Sequence, residues 1–112
     1  MKREFQNIIN EIAEERNRQN EKWGEQNHSI IDYTSAYCAS WLYERYRTYG
    51  ASDARERVDS LSEKDELTYM DILLEEVYEV IESRGKEDIR KELIQVAAVA
   101  VAMIESLDRN GR

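Results

Sequence analysis

The chain has 112 residues, 41% of them hydrophobic and 36% charged, with a formal net charge of -8. That length suits one domain (1–112) with one modest core, and the acidity gives no global attraction to a nucleic acid polymer or an anionic membrane. No apolar run reaches the ~18–20 residues of a bilayer span and no leader-like segment opens the chain, so a soluble cytoplasmic protein is expected.

Proline is absent, there are only four glycines, and no long alternation of β-branched residues occurs. The expectation is an all-α fold. The first helix should run from about Arg3 to Lys22, with Phe5, Ile8, Ile9, Ile12 and Ala13 forming one apolar face. It ends in "KWGEQNH", where Gly24 is placed to cap the helix C-terminus. A second helix is expected from about Ile31 to Tyr49, rich in aromatic side chains: Tyr33, Tyr37, Trp41, Tyr43, Tyr46 and Tyr49. The lone cysteine, Cys38, excludes an internal disulfide and a cysteine-based zinc site and reads as a small core residue. The charged stretch 51–66 reads as a short, partly exposed helix or excursion.

Thr68 and Asp71 have the spacing of a capping box and open a helix over about Tyr69 to Ser83. The turn "SRGKED" leads into a last helix over about Glu87 to Asp108. Its middle, "LIQVAAVAVAMI", is apolar nearly all round, which suits the centre of a bundle or a subunit interface. Ala97, Ala98, Ala100 and Ala102 allow close helix packing. The short connection makes the last two helices antiparallel neighbours.

That pairing matters for "LLEEVYEVIES" (73–83), which carries Glu75, Glu76, Glu79 and Glu82 at spacings that repel by roughly 0.2–0.5 kcal/mol per exposed pair. Glu82 has no assigned role beyond surface charge. Antiparallel packing brings Glu92 and Gln95, three residues apart on the last helix, alongside Glu76 and Glu79. Three carboxylates and an amide oxygen at the edge of an apolar core form a set that a hard divalent cation such as Mg²⁺ would relieve. Such glutamate runs are also common on solvated helix faces, so spacing alone allows either reading.

"EEVYE" (75–79) followed by "ELIQ" (92–95) resembles the E-E-x-x-E … E-x-x-D signature of the all-α nucleoside triphosphate pyrophosphohydrolases, the MazG-like superfamily. "ERNRQNEKWGEQNH" (15–28), "LTYMDILLEEVYEV" (67–80) and "ELIQVAAVAVAMIESLDR" (92–109) resemble its short phage and bacterial branch, in the same order along the chain. The resemblance implies a four-helix core that assembles as a homodimer or homotetramer. It also implies Mg²⁺-dependent hydrolysis (Mn²⁺ as a substitute) of an NTP or dNTP between the α- and β-phosphates, giving a monophosphate and pyrophosphate. Carried onto this chain, it makes Glu76, Glu79 and Glu92 metal ligands and Glu75 the residue that orients or deprotonates the attacking water. Gln95 stands where the broader family has aspartate; it can ligate through its carbonyl but brings no charge.

Within this resemblance, Trp23 would stack on a nucleobase, with Gln26, Asn27 and His28 available to its polar edge. Lys91, Arg90, Lys86 and Arg84 are the cations nearest the second motif, Lys91 foremost, for the triphosphate. Two other readings stand beside the enzyme: a catalytically weak nucleotide-binding or regulatory oligomer, favoured by Gln95, and a plain helical interaction module. Phosphoribosyl-ATP pyrophosphohydrolase shares the superfamily fold but is not suggested by the "KWGEQNH" block.

Overall fold

The computed structural model describes residues 2–32 and 39–112. Among these residues the chain forms five helices and no strand: α1 (Arg3–Trp23), α2 (Ala39–Tyr46), α3 (Ala51–Glu63), α4 (Tyr69–Glu82) and α5 (Lys86–Asn110). The all-helical expectation holds. Tyr33, Tyr37 and Cys38 lie outside the described residues, as does the side chain of Trp41.

Each of the long helices has a local origin in the sequence. α1 closes on Gly24, whose φ of 69° lies in the left-handed region that glycine tolerates, and whose N–H donates to the Asn20 carbonyl. α4 opens on a capping box: Thr68 accepts from the Asp71 N–H while Asp71 accepts from the Thr68 N–H. Its two preceding orphan donors, the N–H groups of Tyr69 and Met70, donate to the carbonyls of Ser29 and Ile30 at 3.0 and 2.9 Å.

This last contact explains a departure from the expected second helix over 31–49. Ser29 and Ile30 lie alongside the start of α4, Ile31 and Asp32 are not helical, and α2 stops at Tyr46. The tertiary need of the α4 N-terminus competes with local helix propensity at this point. Tyr46 reinforces it, since its hydroxyl accepts from the Asp32 N–H at 2.8 Å and lies 3.0 Å from Thr68 Oγ1.

α5 packs on α4 and on α1, and α4 packs on α3. Three residues separate α4 from α5, so the two run antiparallel. α1 crosses α5 in the same general direction, as shown by Glu11 with Arg90, Arg16 with Glu105 and Asn27 with Arg109. The core is built from small side chains: Ala51, Ala54, Ala98, Val99 and Ala102, with Tyr69. Asp71 is 1% exposed and holds Arg45 through a pair of hydrogen bonds of 2.7 and 2.9 Å.

Among the described residues, apolar side chains of α1 and α5 stay exposed. α1 buries no residue, and Phe5, Ile8 and Ile9 of its expected apolar stripe are exposed. On α5, Ile89, Leu93, Ile104 and Leu107 are also exposed and share one helix face. No helix among the described residues is long and apolar enough to cross a membrane.

Candidate metal and ligand site

The antiparallel packing of α4 and α5 brings one carboxylate oxygen each from Glu76, Glu79 and Glu92 within 4.8 Å of one another. All three residues are partly buried. Buried oxygens Oε2 of Glu76 and Oε2 of Glu92 have no hydrogen-bond partner. An orphaned acceptor in a partly dry place is costly, and two of them beside a third carboxylate is a donor-seeking arrangement. The set is all oxygen, as a hard divalent cation requires. In this respect the residues fit the Mg²⁺ that the motif implies.

The protonation of the cluster records the same conflict. Burial, then the charges of Glu79, Glu75 and Glu92, push the Glu76 carboxyl up to about 8. Burial and then Glu79 raise Glu92, while Lys91 pulls it back down. Glu75 is raised by burial and then by Glu79, with Arg55 opposing. Glu76 is therefore mostly protonated at neutral pH, and a cation would displace that proton.

Beside the cluster is a cavity of about 550 Å³ between α1, α3, α4 and α5. Glu75, Glu76 and Gln95 line it, together with Trp23 and Gln26 from the end of α1 and the turn after it. Arg18 and Lys22 supply positive charge, and Ile72, Val99 and Ala102 supply an apolar wall. Trp23 is 59% exposed rather than a core residue, and the Lys22 ammonium lies 4.8 Å from its ring centroid. The turn itself is tied down: the Gln26 carbonyl accepts from the Tyr69 hydroxyl at 3.0 Å and from Arg109 at 2.9 Å.

His28 and Asn27, and Lys91 and Arg90, lie apart from this cavity. His28 lines a neighbouring depression with Arg45 and Asp65, and its ring sits edge-on to Tyr69 at 5.2 Å. Burial keeps its imidazole below the usual value, with Asp65 partly opposing, so His28 is a neutral group. Lys91 lines a groove between α1 and α5 with Arg90, Glu11 and Gln95. Of its neighbours, Arg90 is committed to Glu11 through bonds of 2.8 and 2.5 Å.

Sequence reasoning passed over two residues. Glu82 is not simple surface charge: its Oε2 accepts the Ala51 N–H at 2.6 Å and caps α3. Arg55 of α3 donates to Glu79 at 3.0 Å and its Nε lies 3.9 Å from Glu75. Both contacts span more than twenty residues, so no local pattern carried them. The chain matches no protein-family model, no curated protein and no solved structure.

Proposed function

We propose that this chain is a MazG-like, Mg²⁺-dependent nucleoside triphosphate pyrophosphohydrolase, hydrolysing (d)NTP to (d)NMP and pyrophosphate. The observation that carries the reading is the convergence of Glu76, Glu79 and Glu92 beside a cavity that Trp23, Gln26, Arg18 and Lys22 also line. A cation site, an aromatic platform and positive charge are the three chemistries that a nucleoside triphosphate needs.

In this reading Glu76, Glu79 and Glu92 hold the metal, and Gln95 adds a neutral carbonyl oxygen. A divalent cation held by these residues would supply Lewis-acid chemistry and offset phosphate charge. Glu75 lines the cavity with a carboxyl raised by burial and by Glu79, which makes it a stronger proton acceptor toward water than a free carboxylate. Trp23 offers a base its exposed face and Gln26 a hydrogen-bonding edge. Arg18 and Lys22 draw in the anion. His28, neutral and packed on Tyr69, orders the turn that presents Gln26.

Self-association belongs to the same proposal. The exposed apolar stripes of α1 and α5 suit burial against a second copy of the chain, as a homodimer or homotetramer, better than exposure to water. Gln95 favours a second reading, a MazG-fold oligomer that binds nucleotide and turns over poorly. The test is a screen of ribo- and deoxynucleoside triphosphates with Mg²⁺ or Mn²⁺, reading pyrophosphate. Release that is lost in Glu79→Ala, with helicity intact by circular dichroism, supports the enzyme. Nucleotide binding without release supports the second reading, and neither binding nor release refutes both.

A further inference from the structure

α3 places a cation against the acidic cluster, and its placement is built in. Ala51 and Ala54 are buried, and Glu82 fixes the first turn of α3 through the Ala51 N–H. Gly50 allows this approach: its φ is +150°, and a Cβ there would lie 3.0 Å from the Glu82 carboxylate oxygen. The first turn of α3 is thus held beside α4, and Arg55 follows from it. Its guanidinium reaches Glu79 through Nη2 and approaches Glu75 through Nε. A guanidinium has five N–H donors in a planar fork, so these contacts leave donor capacity over.

Arg55 also heads a face of α3. Val58, Asp59 and Ser62, at i+3, i+4 and i+7 from it, all line the cavity that holds Trp23 and Glu76. Arg55 thus continues the α3 face that borders this cavity and lies against Glu79 of the cluster. Arg18 and Lys22 line that cavity from α1 and Arg90 is paired with Glu11, whereas Arg55 is a guanidinium in direct contact with the cluster itself. Arg55 is 57% exposed at its side chain, and its contacts with Glu79 and Glu75 are ones that a cation on those carboxylates would compete for.

We propose that Arg55 binds a phosphate group of the metal-bound polyphosphate ligand, and that its contact with Glu79 is the position it holds before that ligand arrives. This inference rests on the metal reading above. A divalent cation that takes the Glu79 carboxylate removes the attraction holding the guanidinium and repels it. Phosphate oxygens then offer the planar, bidentate acceptor that arginine suits better than lysine. One side chain thus opposes the metal in the empty site and supports the ligand in the full one.

The opposite signs make the test. Mn²⁺ alone, and then inorganic tripolyphosphate added to the Mn²⁺-loaded protein, are titrated by calorimetry into wild type, Arg55→Gln and Arg55→Lys. In Arg55→Gln, Mn²⁺ should bind about threefold to tenfold more tightly, because a repelling charge is gone. Tripolyphosphate should bind roughly tenfold or more weakly, as for a lost charge-assisted hydrogen bond. Arg55→Lys should keep Mn²⁺ affinity near wild type and recover part of the tripolyphosphate affinity. Unchanged tripolyphosphate affinity in Arg55→Gln, or a fall of both affinities together, overturns the inference and leaves the metal reading standing. Wild type that binds no Mn²⁺ overturns the metal reading and this inference with it. Wild type that binds Mn²⁺ but not tripolyphosphate overturns the assignment of Arg55 alone.

Discussion

Proton release on metal binding is the sharpest consequence of the glutamate cluster. Glu76 titrates at about 8 because it is buried and faces Glu79, Glu75 and Glu92. It is then about half ionised at pH 8, roughly one-tenth at pH 7 and roughly one-hundredth at pH 6. A divalent cation needs the ionised form, so binding at pH 7 should release about 0.9 proton from this group. Apparent Mn²⁺ affinity should fall about fivefold from pH 8 to pH 7 and about tenfold more to pH 6. Calorimetry in buffers of different ionisation heat counts the protons directly. Glu76→Gln should bind more weakly at pH 8 and show a flatter pH slope. A wild-type affinity that is flat from pH 6 to 8, or a slope that Glu76→Gln leaves intact, would refute the reasoning.

The same group makes the metal-free protein pH-sensitive in the opposite sense to an ordinary ion-paired carboxylate. Its folded value lies above the unfolded 4.5, so its contribution to stability is present below about pH 4.5 and is lost as pH rises toward 8; the melting temperature without metal should fall over that window, and Mg²⁺ should restore it. Asp71→Ala takes the bidentate partner from half-buried Arg45, leaving it the 3.5 Å contact with Asp32, and removes the α4 capping box, and should cost about 3 kcal/mol in urea unfolding. Glu82→Ala should cost about 0.5–2 kcal/mol by removing the α3 cap, and Gly50→Ala should destabilise by crowding that carboxylate, both read in the same assay. If the chain self-associates as proposed, Ile104→Glu on the exposed α5 stripe should shift it toward monomer in sedimentation velocity without loss of helicity; a wild type that is monomeric at high concentration refutes that proposal.

Much of the cluster was legible in the chain because its causes are local. Helical period sets Glu76 and Glu79 on one face of α4, the Thr68 and Asp71 pair fixes where that helix starts, and a three-residue turn folds Glu92 back against it. These follow from backbone geometry and short connections, which a sequence displays directly. The second helix was legible only in part, since the carbonyls of Ser29 and Ile30 serve the α4 N-terminus and local propensity yields to them. Position across long gaps in the chain was decided by tertiary packing. That is where Arg55 meets Glu79, where Glu82 caps α3, and where His28 turns onto Tyr69 and away from the cavity. A charged residue reads alike in sequence whether it faces water or a carboxylate from another helix. Only the packing of buried Ala51, Ala54, Ala98 and Ala102 fixes how near those helices come, and so which charges meet.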